Sequence, residues 1–414
     1  MEITVLCKVV DNFGDAGFAV RLCRALLEAR GDLCLRVVCD DVGLLLRLEP
    51  SLAPSGTAQD DTRVAIFDWK DGDACKDEFS HHPPRIILEC FQCGRPSWLE
   101  EILFDSTFSQ SVQIVNIEYL TAESWADGFH LLKSGTRAAN VKKVNFMPGF
   151  SAKTGGLVLD GPFLRCKEDR LYARRVITQT LGSAFVEEGF DEPFKVLLFS
   201  YPRDLSFLAR ALRRLSSERR ARVFAASGAG LPSTKAALSS AGVEFTELPF
   251  LPQKAWDALM SLVDFAFVRG EDSFARACLL GKPFVWQAYP QQGQFHLVKL
   301  AAFLQKLSSA ATSDTSDTID TIDRFSFLYN WDSIQEPSYD AWDILSHCGV
   351  ASLLQSATAK RFDALLEDEA FALLDAAAKR ERQLSEPFAS LSRSLLAGGN
   401  MAEHLLAYLE SLEL

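Results

Sequence analysis

This 414-residue chain lacks several features that define whole classes of protein. Met1 leads straight into Ile3-Thr4-Val5-Leu6-Cys7, a strand-like run, so no secretory leader is expected. No stretch reaches the ~18–20 uninterrupted apolar residues of a membrane span. Basic charge is in deficit. Lys and Arg total 43 against 55 Asp and Glu, a net charge of −12. That balance argues against a protein that lives on nucleic-acid phosphates or anionic lipid. Histidine is scarce, six in all and dispersed. There is no P-loop, no nucleophile elbow and no H-E-x-x-H. The G-x-G-x-x-G dinucleotide fingerprint is missing, which argues against NAD or FAD. The ten cysteines are scattered, most inside apolar runs, as in a reducing cytoplasm and not in a disulfide framework. Cys90-Phe91-Gln92-Cys93 has no second pair and no adjacent His, so no zinc site is expected.

What is present is a globular composition, 48% apolar and 24% charged, on a length that suggests two or three domains. Apolar runs alternate with helical patterns, the rhythm of α/β units on a parallel sheet. The first half predicts strands at Ile3–Lys8, Leu33–Asp40, Val64–Asp68, Arg85–Leu88 and Gln113–Ile117. A helix from about Phe18 to Glu28 follows the first of them. The rhythm restarts at Lys195–Ser200 and continues through Arg222–Ala226, Val243–Leu248, Phe265–Val268 and Pro283–Trp286. Helices are predicted at Ser233–Ser240, Gln253–Leu262 and Ser273–Leu280, and Arg210, Arg213 and Arg214 line the polar face of another. Lys167 to Gly182 reads as an ordered connector. Ser308 to Asp323 is polar and low in complexity and reads as an exposed loop or mobile insertion. From about Ala359 the chain is helical almost throughout. Two Rossmann-like domains in tandem suggest two lobes facing a cleft, with ligands beyond the carboxyl ends of the strands.

Two loops carry the sharpest chemistry. Asp11-Asn12-Phe13-Gly14-Asp15-Ala16-Gly17 follows the first strand. Its glycines permit close approach of a ligand, and one of its two carboxylates could act as a general base. Equally, Asp15 could simply cap the helix. Arg269-Gly270-Glu271-Asp272-Ser273-Phe274 lies between a strand and a helix. Asp272 or Ser273 could cap that helix, whose N–H groups and Arg269 could hold a diphosphate. Glu271 would repel a phosphate, which favours a catalytic or substrate-orienting role; an ion pair with Arg269 is the plain alternative. Pro249-Phe250-Leu251-Pro252-Gln253 with Trp256, and Phe199-Ser200-Tyr201, stand at strand ends. They could stack on and read a base, or pack a core. Asp71-Gly72-Asp73 reads as a solvated turn.

Taken together these motifs resemble the EarP family of elongation factor P arginine rhamnosyltransferases. The similarity runs in order over about residues 3–300. It passes through Cys7–Asp15, Asn116–Leu120, Gly149–Leu157, Pro249–Gln253, Arg269–Phe274, Gly281–Phe284, Tyr289-Pro290-Gln291 and His296-Leu297. The resemblance implies a GT-B fold without metal and an inverting transfer of rhamnose from dTDP-β-L-rhamnose to an arginine guanidinium nitrogen of elongation factor P. The domains expected are an acceptor domain with connector over 1–183 and a nucleotide-sugar domain over 184–365; the terminal helices over 366–414 lie outside the resemblance and are placed back on the first domain by analogy with GT-B folds. Carried over by motif, Asp15 is the general base, supported by Asp11, and Glu271 a catalytic carboxylate near the diphosphate and sugar. Asn12, Phe13 and Gly14 line the sugar's approach. Phe250 stacks on thymine and Gln253 bonds it. Phe199, Tyr201 and Trp256 line the nucleotide pocket. Arg269, Gly270, Asp272 and Ser273 hold the ribose and diphosphate. The sequence departs from the pattern at Gln292 and Gly293, where acidic residues are usual, and at Trp256, where a phenylalanine is expected. Other readings are a GT-B transferase with another acceptor and a catalytically silent nucleotide-sugar-binding module. No nucleic acid or membrane is expected among the partners.

Overall fold

The structure, a computed structural model, describes residues 1–10, 13–52, 63–186, 190–311, 316–356 and 359–412; the side chains of 316, 317, 356, 359 and 360 also lie outside the description. Chain contacts divide it into two compact units. The first holds Met1–Leu164, Pro252–Lys254 and Ala397–Leu414; the second holds Arg165–Leu251 and Ala255–Leu396. The connector thus groups with the second unit, and of the terminal helices only the last groups with the first.

In the first unit the chain runs β1 (Glu2–Cys7), α1 (Phe13–Ala29), β2 (Cys34–Cys39), α2 (Val42–Leu48), β3 (Val64–Asp68), α3 (Gly72–His81), β4 (Ile86–Cys90) and α4 (Ser97–Leu103). It continues through β5 (Val112–Ile117), α5 (Ala126–Phe129), β6 (Lys133–Ser134) and β7 (Val141–Phe146). The sheet order is β3-β2-β1-β4-β5-β7-β6, parallel except for β6. Strands β1, β4 and β5 are mostly apolar and buried along nearly their whole length, as suits central parallel strands with helices on both faces; Glu89, Gln113 and Asn116 are their larger polar exceptions. Helix α1 starts at Phe13, a turn and more before the predicted Phe18. Asp71 caps α3 through Ala74 N at 3.4 Å, so Asp71-Gly72-Asp73 is a helix start and not a solvated turn.

The second unit opens with α6 (Gly161–Glu168), which begins in the first, and α7 (Arg170–Leu181). There follow β8 (Phe194–Leu198), α8 (Ser206–Glu218), β9 (Ala221–Ala225), α9 (Leu231–Ser240), β10 (Phe245–Glu247), α10 (Gln253–Leu262), β11 (Phe265–Arg269), α11 (Glu271–Leu280) and β12 (Phe284–Gln287). The sheet order β10-β9-β8-β11-β12 repeats that of the first five strands of the other unit, all parallel. In both sheets the order reverses beside the first strand, so each has a switch point, between β1 and β4 and between β8 and β11. Crevices for ligands open there.

Helices α12 (His296–Ser309), α13 (Ser316–Asn330), α14 (Tyr339–His347), α15 (Val350–Ser356), α16 (Ala359–Ala378) and α17 (Arg382–Ala397) complete the second unit. The stretch read as a loop over Ser308–Asp323 is therefore helical from Ser316; residues 312–315 lie outside the description. The arginines on the outer face of α8 meet α16: Arg210 pairs with Asp363 and Glu367, and Arg214 lies 3.6 Å over the Phe371 ring. Helix α18 (Met401–Glu410) packs on α1 within the first unit.

Candidate active site

At the switch point of the second sheet, β11 ends on Arg269, and Gly270 turns the chain with φ 70° and ψ 177°. Only glycine adopts that conformation cheaply. Helix α11 then starts at Glu271 with Gly270 at the N-cap position, so Asp272 and Ser273 lie inside its first turn and do not cap it. The Trp286 indole donates to the Gly270 carbonyl at 3.2 Å and stacks on Phe274 with centroids 3.9 Å apart, which ties the turn to β12. The Arg269 guanidinium is nearly buried. It lies 4.4 Å from the centre of the Phe199 ring and 4.6 Å from that of Tyr201, both just past β8. Phe199 also meets Trp256 at 4.9 Å, and Tyr201 meets Tyr289 at 5.4 Å. The structure thus brings Phe199, Tyr201, Trp256 and Arg269 together. Phe250 follows β10 and is half-buried.

Two glycines allow this packing. A Cβ on Gly228 would lie 3.2 Å from Arg269 Nη2, and one on Gly230 would lie 2.0 Å from the Ser200 carbonyl oxygen. The pair Gly228-Ala229-Gly230, which lacks the third glycine of a nucleotide fingerprint, is a close-packing device.

A buried polar clamp sits behind the cluster. Gln287 accepts from Tyr201 N at 2.8 Å. Asn330 accepts from Ala288 N at 2.9 Å and donates to the Trp286 carbonyl at 2.8 Å. His296 accepts from Gln291 N at 3.2 Å, and its other nitrogen faces the Asn330 carbonyl at 2.9 Å. One ring nitrogen accepts and the other donates, so the imidazole is neutral, and burial holds its pKa below the ordinary value. Gln287 and Asn330 were missed in the sequence because their partners are distant in the chain.

In the first unit Phe13, Gly14 and Asp15 open α1 beside the end of β1. Asp15 is buried, and its Oδ2 accepts from Val10 N at 2.7 Å. Asp11 and Asn12 lie outside the described residues. Gln253 belongs to this unit: its amide donates to the Gly17 carbonyl at 2.8 Å, and its own buried oxygen takes no hydrogen bond from the described residues. The ten cysteines are free, and among the described residues no three His, Cys, Asp or Glu side chains come together as a metal site.

A profile of the Elongation-Factor P (EF-P) rhamnosyltransferase EarP matches residues 3–408. The chain belongs to the EarP family. It is therefore a glycosyltransferase of the protein-arginine rhamnosyltransferase type. The protein-arginine rhamnosyltransferase of Shewanella oneidensis is 30% identical over 333 residues, 73% of this chain and 79% of the relative. That of Neisseria meningitidis is 32% identical over 314 residues, 72% of this chain and 77% of the relative. Among solved structures, one that gives the structural basis for EarP-mediated arginine glycosylation of translation elongation factor EF-P matches with a TM-score of 0.52 at 19% identity, over 99% of each chain. UDP-GlcNAc 2-epimerase from Neisseria meningitidis, bound to UDP-GlcNAc, matches with a TM-score of 0.52 at 9% identity over 100% of each chain. At such identities these likenesses show the fold, which in this EarP chain is GT-B: α/β with two parallel sheets.

Proposed function

We propose that this chain, in the cytoplasm, transfers L-rhamnose with inversion from dTDP-β-L-rhamnose to an arginine guanidinium nitrogen of elongation factor P. The observation that carries the reading is Arg269, packed against the Phe199 and Tyr201 rings at a sheet switch point and followed through Gly270 by the N-terminus of α11. A fixed guanidinium beside a helix N-terminus suits the diphosphate of a nucleotide sugar. Asp272 and Ser273 complete the ribose and diphosphate contacts. Phe250, with Phe199, Tyr201 and Trp256, supplies aromatic surface for the base. The unpaired oxygen of Gln253 suits the ring N–H of thymine. No helix of the described residues is long and apolar enough to cross a membrane, which fits a protein acceptor in solution.

The acceptor's difficulty is its charge. A guanidinium stays protonated at neutral pH and is a poor nucleophile. Asp15, fixed by Val10 N–H, orients that group and takes its proton as the nitrogen attacks the anomeric carbon, with Asp11 in support and Phe13, Asn12 and Gly14 around the sugar. Attack from the face opposite the diphosphate inverts the carbon. Arg269 and the start of α11 stabilise the leaving diphosphate, and Glu271 orients the sugar.

The test is the intact mass of elongation factor P after incubation with this chain and dTDP-rhamnose, with chelator present. The expected result is a gain of one deoxyhexose that is lost when the acceptor arginine is changed to lysine. No gain with the donor still bound would leave a sugar-nucleotide enzyme with another acceptor.

A further inference from the structure

The edge of the first sheet carries a second feature that the donor and base assignments do not use. Strand β4 lies beside β1 and β5 beside β4, so the segments after Cys7, Cys90 and Ile117 emerge together at the switch point. After β4 the chain makes a strained turn. Phe91 and Gln92 have consecutive positive φ angles of 58° and 53°, a conformation that side chains resist. It is held by Phe91 N donating to the Ile117 carbonyl at 2.7 Å and Gln92 N donating to Asn116 Oδ1 at 3.1 Å. The turn stacks the Phe91 ring on Tyr119, centroids 4.3 Å apart and planes 9° from parallel. Phe91 also meets Phe18 at 4.8 Å. Phe18 stands three residues after Asp15 on α1 and shares its face. The Phe18–Phe91 contact thus sets the turn against the helix that carries Asp15; burial pushes the Cys90 thiol well up, and the Asp15 carboxylate adds to that shift.

On this edge sits Glu118, half-buried. Its Oε1 accepts from the Gln92 and Asn116 side-chain amides, each at 2.6 Å. Its Oε2 takes no hydrogen bond, and the carboxylate meets no cation, among the described residues. The neighbouring buried carboxylate, Glu89 on β4, is fully compensated by Arg95 and by Lys143 at 2.6 Å. Glu118 is thus a carboxylate oriented by amides, with one oxygen open and a flat ring pair alongside. A guanidinium is the cation that matches both parts: its planar fork bonds a carboxylate edge and its face stacks on aromatic rings, which a lysine ammonium does not do.

We propose that Glu118, oriented by Gln92 and Asn116 and flanked by Phe91 and Tyr119, binds the guanidinium of the acceptor arginine and presents it to Asp15. The inference rests on the reading that an arginine of elongation factor P is the acceptor.

Glu118→Gln tests it in the full chain. Glutamine keeps an oxygen for Gln92 and Asn116 but replaces the open oxygen with an N–H₂ that repels a guanidinium. Steady-state rates are measured with elongation factor P varied, then with dTDP-rhamnose varied. The acceptor KM is expected to rise about tenfold or more, the scale of one lost charge-assisted hydrogen bond, while donor KM and melting temperature hold. Tyr119→Ala, which removes the ring, should raise the acceptor KM more than Tyr119→Phe, which keeps it. An unchanged acceptor KM in E118Q, or equal rises for both substrates with a lower melting temperature, overturns the proposal while the proposed function stands. A wild-type chain that leaves elongation factor P unmodified removes both.

Discussion

Single residues divide between those proposed to do chemistry and those that tolerate their surroundings. Asp15 accepts a backbone N–H, which asparagine can also do, so Asp15→Asn is expected to fold normally. Its turnover should fall at least ~10²-fold, the low end for general acid–base catalysis. Glu271→Gln should behave alike, and single-turnover rates with circular dichroism check both. Near-normal rates in the two variants remove the mechanism. Asp323 is of the tolerating kind. Burial, with neighbouring Asp320, raises its carboxyl to about 7, and its buried Oδ1 has no partner among the described residues. The folded state therefore holds this proton more tightly than the unfolded state, and the residue weakens folding as pH rises from ~4 towards 7. Asp323→Asn should stabilise the chain by about 1 kcal/mol or more at pH 8 and by little at pH 4. Urea titrations at the two pH values measure the difference, and equal gains at both would refute the assignment.

At the scale of elements, each unit's five-strand order positions its own candidate residues, and most of both could be read from the sequence. Buried parallel strands are near-continuous apolar runs, so Ile3-Thr4-Val5-Leu6-Cys7 and Phe265-Ala266-Phe267-Val268 announce themselves. Strand β7 does not, because Lys142, Lys143 and Asn145 interrupt its apolar positions at the sheet's far side. The helix from Ser316 was hidden by its polar repeat; the apolar residues that bury it, Ile319, Ile322 and Phe325, are spaced three apart within that repeat and just past it. The arginine and carboxylate loops were legible because strand-to-helix junctions are where α/β sheets hold ligands. The clamp of Gln287, Asn330 and His296 was not, since it exists only once β12 and α13 are packed. Its test follows from its geometry. His296→Ala removes the acceptor for Gln291 N and frees the Tyr289 loop. Donor KM should rise several-fold with acceptor KM unchanged. The lowered pKa of His296 adds a pH signature: the unfolded state binds this proton more readily, so stability is lost as pH falls below ~6.5. That acid slope should shrink in the variant.

For the whole chain, the decisive fact is that its last helix belongs to its first unit. Met401, Leu405 and Leu409 are buried, and α18 lies along α1. Asn400 fixes the entry. It accepts from Leu159 N at 3.1 Å and donates to the Leu159 carbonyl at 2.8 Å, and Met401 N reaches the Leu157 carbonyl at 3.0 Å. Arg30 on one side pairs with Glu410 on the other. The helix that positions Asp15 is therefore completed only after the entire second unit has been threaded. A chain cut after Leu164 leaves the face of α1 bare and should be unstable, and adding a peptide of residues 397–414 in trans should restore its fold. Leu405→Ala in the full chain should cost about 2–5 kcal/mol, the usual range for emptying a buried leucine site. The loss has an address. Hydrogen exchange should quicken in β1 and α1 while β8 and β11 keep their protection, and donor binding should survive where turnover does not. Uniform loss of protection across both sheets would mean instead that the two units unfold as one.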